Sequence, residues 1–199
     1  MNHKSGFTLI ELIVVVVLMA SLSLFLGRYQ ASNNQSKNQV KSAARMILAL
    51  FENAKNMAIA QNQCVHIAID LSSKHRQRRM FLLQNQEDRY VIKQEITLPE
   101  RTAILNKTQL ETCLEQDLNN YDFDQKNITL LRDLFKTYFY TFCPDGSLLT
   151  DNAILIGVGY VYKSDIIYTD SDVDCSGVLI TAMGKAILLP SKKVMKEIL

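Results

Sequence analysis

One carboxylate stands alone in the most apolar part of the chain. From Phe7 to Leu26 the sequence reads FTLIELIVVVVLMASLSLFL, 20 residues in which Glu11 is the single charge and Thr8, Ser21 and Ser23 are the other polar groups. Burying an ionisable group in lipid costs about 2.5–3.5 kcal/mol, so its presence there points to a partner or a function. The best partner is a cation on a neighbouring copy. A cut just before Phe7 would create one, a new α-amino group among apolar helices. A pair with Glu11 of the adjacent subunit would then set the stagger between copies more than it would add stability.

The remaining reactive residues form looser groups. Cys64, Cys113, Cys143 and Cys175 are spaced too widely for zinc, whose ligands usually come in pairs a few residues apart. All four follow the apolar run, which suits disulfides in an oxidising compartment. The sequence leaves the pairing open, with a preference for Cys143–Cys175 because both adjoin strands in the second half, and buried thiols are the alternative. Asp170, Asp172 and Asp174 alternate in a way that suits calcium. The pattern then departs from a calcium loop, since Cys175 stands where a turn glycine belongs and Thr181 where a bidentate Glu does, and a solvated acidic loop is the alternative. No other cofactor is expected. Arg76, Arg78 and Arg79, after Lys74 and His75, make the densest basic cluster, and Lys192, Lys193 and Lys196 a second; either could contact an anion such as DNA, or simply be solvated. His3, His66 and His75 meet no Gly-x-Ser-x-Gly, phosphate loop or His-Glu-x-x-His pattern, so no enzyme activity is expected.

The elements that position these residues follow from periodicity. The run Phe7 to Leu26 is long enough to cross a bilayer as a helix at about 1.5 Å per residue. Its four consecutive valines, Val14 to Val17, are poor helix formers in water but are forced into a helix in lipid. A cleavable secretory signal cut after Ser21 or Ser23 is the competing reading, and the buried carboxylate speaks against it. Val40, Ala43, Ala44, Ile47, Leu50, Phe51, Ala54, Met57 and Ala58 then mark one apolar stripe of an amphipathic helix. From Cys64 the period shifts towards 2, in Val65 to Leu71, Met80 to Leu83, Tyr90 to Ile96 and Thr137 to Phe142, with further short apolar runs punctuated by Pro144-Asp145-Gly146-Ser147 and Met183-Gly184-Lys185. The two glycines sit where tight turns need positive φ. Residues 108–127 read as a long loop or a short helix between strands.

The expected fold class is therefore α+β, a long N-terminal helix, transmembrane and then amphipathic, packed against a C-terminal antiparallel β-sheet domain. The composition agrees: of 199 residues 48% are hydrophobic and 21% charged, a globular balance, and a net charge of +2 supplies no global basic field for nucleic acid.

Lys4-Ser5-Gly6-Phe7-Thr8-Leu9-Ile10-Glu11, leading into the apolar run, resembles the class III signal of type IV pilins and type II secretion pseudopilins. The resemblance implies that a prepilin peptidase cuts after Gly6 and methylates Phe7, and that the leader faces the cytoplasm. LFENAKNMAIAQNQCVHIAID, FCPDGSLL and SGVLITAMGKAIL resemble segments of the GspH/FimT-like minor pseudopilins, which lack the four cysteines as a pattern. These resemblances imply a leader at 1–6, a transmembrane or filament-core helix at 7–29, an amphipathic helix at 30–62 and a periplasmic β-rich domain at 63–199. The protein is then expected in a bacterial inner membrane as a single-pass chain, held in lipid through Phe7 to Leu26, and later extracted into a pseudopilus. Its implied partners are other pseudopilins or pilins, the prepilin peptidase and an inner-membrane assembly platform. The first functional expectation is a minor pseudopilin of a type II secretion system. The second is a minor pilin of a type IV pilus or DNA-uptake filament that binds DNA locally.

Overall fold

A computed structural model describes residues 9–71, 78–86, 89–123, 125–130, 133–162, 165–167 and 175–198; within the first helix the side chains of Glu11 and residues 24–36 lie outside the description. The elements in chain order are α1 (Leu9–Gln61), β1 (Val65–Asp70), β2 (Arg79–Gln86), β3 (Arg89–Thr97), β4 (Thr102–Ile104), α2 (Lys107–Leu114), β5 (Gln125–Leu130), β6 (Asp133–Phe142), β7 (Ile154–Tyr162), β8 (Asp165–Ile167), β9 (Cys175–Ile180), β10 (Ala186–Leu189) and α3 (Lys192–Ile198). Two compact units divide the chain, Met1–Ser36 and Lys37–Leu199.

In the second unit the expected stripe is the heart of the core. Val40, Ala43, Ala44, Ile47, Leu50, Phe51, Ala54 and Ala58 are each no more than 2% exposed, and Met57 packs at their edge. Four of these eight are alanines, which let the helix lie close to the sheets, and Phe51 fills the space between. Its ring stands 6.1 Å from that of Tyr140 and 6.0 Å from that of Phe142 on β6, distances suited to tilted and edge-on aromatic contact. The helix stops where Asn62 turns left-handed at φ 51° and the Gln63 N–H reaches back to the Ala58 carbonyl.

Two antiparallel sheets complete this unit. One has the order β3-β2-β1-β6-β5, the other β10-β9-β7-β4 with β8 beside β7. Both glycine turns have the expected positive φ, 81° at Gly146 and 71° at Gly184, and they touch each other: a Cβ on Gly184 would lie 2.1 Å from the Gly146 carbonyl oxygen. Lys55 and Ile59 of α1 pack against Gly146.

A second core, on the other face of the β7–β9 pair, occupies a region read from sequence only as a loop or short helix. Asn106 caps α2 by accepting from the Gln109 N–H while the Gln109 side chain accepts from the Asn106 N–H. Leu110 of this helix rests on Gly157 of β7, where a Cβ would meet its methyl at 2.4 Å. The end of the same stretch, from Gln125, is strand β5 rather than loop. The lysines near the C-terminus belong to α3, whose Met195 is fully buried in this second core.

Candidate functional site

The first part of α1 is apolar on every side. Leu9, Ile10, Leu12 to Met19 and Leu22 are all exposed, from 44% at Val15 to 80% at Leu9. Consecutive positions at 3.6 residues per turn point in all directions, so this stretch has no buried face of its own. Its hydroxyls are turned inward: Ser21 Oγ donates to the Leu18 carbonyl and Ser23 Oγ to that of Met19, both at 2.8 Å. That is how polar side chains are satisfied in a helix placed in an apolar medium. Among the described residues no helix is long and apolar enough to cross a membrane; the run Phe7 to Leu26 begins and ends outside those whose side chains are described. Gly6 and Phe7 also lie outside the described residues, and Glu11 is placed within α1 without its side chain.

Of the three arginines, Arg79 is held by carboxylates of its own domain. Arg79 Nη2 lies 3.0 Å from Oδ2 of Asp70, a fully buried carboxylate, with Glu95 at 3.8 Å, and its guanidinium sits over the rings of Phe81 and Phe135. The β1–β2 register places Ile69 opposite Met80, and hence Asp70 opposite Arg79, so opposite charges flank this hairpin. That flanking was the signal available in the sequence. Arg78 is half-buried, its Nε without a hydrogen-bond partner, and Arg76 lies outside the described residues. At the other basic cluster, Lys192 and Lys196 both reach Glu115, at 3.7 and 3.1 Å, and hold its carboxyl below the ordinary carboxylate range. Asp170, Asp172 and Asp174 are outside the described residues; among those described, no cluster of His, Cys, Asp and Glu could hold a metal ion.

The outer face of the first sheet carries a shallow concavity that sequence reading did not single out. His66 stacks on Phe139 at 5.2 Å, Tyr90 meets both rings edge-on at 5.3 Å, and Lys126 Nζ stands 4.9 Å over Phe139. His66 Nδ1 is 2.9 Å from Thr141 Oγ1, and burial, with the Lys126 charge adding to it, pushes the imidazole pKa down.

The cysteines fall into two groups. Cys113 and Cys175 are buried together in the second core, whereas Cys64 is exposed and Cys143 half-buried at the end of the first sheet. The structure thus separates Cys143 from the partner preferred from sequence.

Comparison with known proteins bears on the N-terminus first. A family described as the prokaryotic N-terminal methylation motif matches residues 1–27. The chain begins with a prepilin-type methylation motif. This motif therefore spans the stretch of Gly6, Phe7 and Glu11 and runs into the exposed apolar part of α1. No curated protein matches the chain. Among solved structures, the type IV minor pilin FimU of Pseudomonas aeruginosa is similar at 11% identity, over 76% of this chain and 88% of that one, with a TM-score of 0.48. The minor pseudopilin EpsH from the type 2 secretion system of Vibrio cholerae is similar at 15% identity, over 76% of this chain and 96% of that one, also with a TM-score of 0.48. At such values no residue role passes from one chain to the other.

Proposed function

We propose that this chain is a structural subunit of a pilin-like filament, a minor pseudopilin of a type II secretion system. The observation that carries the reading is the methylation motif over residues 1–27, leading into a helix whose apolar side chains from Leu9 to Leu22 are all exposed. In this reading the prepilin peptidase cuts after Gly6 and methylates Phe7. The helix then stores the subunit in the bilayer and later packs against copies of itself or its relatives in a fibre core. Glu11 takes the amino terminus of a neighbour as its counter-ion, since a carboxylate in that setting is costly without one. The domain from Lys37 onward remains outside the apolar layer and faces the periplasm, where it meets other subunits or cargo. The chain is a substrate of a processing enzyme and does no catalysis; the work of extraction comes from a separate assembly machine at the inner membrane.

The test is intact mass and N-terminal peptide mapping of the membrane-extracted protein, with and without its prepilin peptidase. A chain starting at methylated Phe7 only when the peptidase is present is the expected result. A start near Leu24 would mean an ordinary secreted domain and would end the filament reading. A minor pilin of a DNA-uptake filament is the alternative assignment. It predicts a salt-sensitive shift of duplex DNA lost when Arg76, Arg78 and Arg79 are all replaced by Ala, and absence of binding at low salt removes it.

A further inference from the structure

The geometry points to two specific disulfides, Cys64–Cys143 and Cys113–Cys175, made when the domain reaches an oxidising compartment. The compartment rests on the function proposed above; the pairing does not. In the β1–β6 ladder Val65 faces Phe142, so Cys64 and Cys143 face each other one step further along the same register. The hydrogen bond from the Leu71 N–H to the Lys136 carbonyl fixes the alternation of that ladder, and an odd step count from it makes position 64/143 a non-hydrogen-bonded pair. Such pairs hold their Cα atoms about 4.5 Å apart, inside the ~4.4–6.8 Å span of disulfides. Burial pushes the Cys143 pKa up, and the nearby Cys64 adds to that rise.

The second pair is built by packing. Leu110 anchors α2 on Gly157, which pairs with Gly177 of β9. Cys113 lies three residues beyond Leu110, about one helical turn, and Cys175 two residues before Gly177 on the same strand face. Both thiols are buried, 3% and 4% exposed, in one cluster, and Cys175 is near enough to push the Cys113 pKa down.

Each bond forms by exchange with an oxidised dithiol protein of the export compartment. One cysteine attacks the donor's disulfide to give a mixed disulfide, and its partner attacks that bond. Two S–H bonds of the chain are lost and one S–S bond is made, while the donor's S–S bond breaks, takes up the two electrons and two protons, and leaves as a dithiol. Cys64 is exposed and meets such a donor in the folded domain. The buried Cys113–Cys175 pair must react before α3 closes over it, since the Cys175 thiol ends 4.0 Å from the Met195 sulfur.

The full chain, alkylated in denaturant at lysis and extracted from membranes in detergent, would be mapped by non-reducing tryptic mass analysis, beside a second sample, unalkylated at lysis, that is reduced, unfolded and refolded in detergent in a glutathione buffer. Cuts after Lys126, Arg132, Lys136 and Lys163 put Cys113, Cys143 and Cys175 on separate peptides. Expected in both samples are the cross-linked peptides Cys64–Cys143 and Cys113–Cys175, with Cys64→Ser removing the first and leaving the second. A Cys143–Cys175 or Cys64–Cys113 peptide, or four alkylated thiols after glutathione oxidation, would overturn the pairing. Both pairs in the glutathione sample but four thiols in the cell-derived one would uphold the pairing and overturn the export reading.

Discussion

One helix shows two solutions to the same problem of placing apolar side chains. Between Leu9 and Leu22 the apolar positions run around the whole circumference and all are exposed, whereas between Val40 and Ala58 they recur every three or four residues and are almost wholly buried. The second stretch carries its own solvent shelter, because a stripe leaves the opposite face to water and turns the apolar face to the sheets. The first has no such division. It needs lipid or other helices from outside the chain, and its inward-turned serine hydroxyls fit that demand. Meeting an outside apolar surface and closing a core of its own are thus tasks kept on separate stretches of sequence.

The comparison breaks first at Phe51. Phe51→Ala should destabilise the domain by about 3–5 kcal/mol, since it empties a fully buried ring site against Tyr140 and Phe142. Urea unfolding in detergent, followed by far-ultraviolet circular dichroism, would read this as a lower midpoint. Gly184→Ala should cost about 2–4 kcal/mol in the same assay, because a side chain at φ 71° is strained and would run into the Gly146 carbonyl. Arg79→Ala should cost about 2–3 kcal/mol, somewhat below a fully buried pair because Arg79 is 20% exposed, since it strips a partner from buried Asp70. Val16→Ala, by contrast, should move the domain's midpoint by no more than about 0.5 kcal/mol. A large effect there would mean that the first stretch shares the core of the second.

The smallest effect is a slope. A histidine held below its ordinary value of 6.5 takes up its proton more readily in the unfolded chain, so stability should be flat above that pH and decline as pH falls through it towards the lowered folded value. His66→Gln should flatten that decline, measured as the midpoint between pH 7 and 5; an unchanged slope would assign it to other groups. In the first stretch the matching probe is Glu11→Ala. Its expected outcome is normal membrane insertion with lost filament incorporation, and unimpaired incorporation would remove the pairing with a neighbour's amino terminus.

Legibility followed the length of the pattern. The stripe from Val40 to Ala58 was readable because several turns repeat the same spacing, and the positive φ of Gly146 and Gly184 because few residues other than glycine suit such turns. Strands β4 and β8, three residues each, are too short to show a period. Helix α2 left only Leu110, Cys113 and Leu114 as a turn's worth of spacing, with Asn106 and Gln109 as a capping signal within a polar stretch. The role of Arg79 escaped because a run of basic residues looks solvated until its partner across the hairpin is known.

By itself the sequence determined the apolar N-terminal run and its methylation motif, the amphipathic stripe, the two glycine turns and the α+β class. Each rests on neighbours along the chain or on a repeat that the chain displays. Only the tertiary structure decided the strand order, the second core under α2 and α3, the burial of Asp70 against Arg79 and the sorting of the cysteines into Cys64 with Cys143 and Cys113 with Cys175. Those depend on contacts between residues far apart in the chain, and local spacing holds no information on which distant surfaces will bury each other most completely.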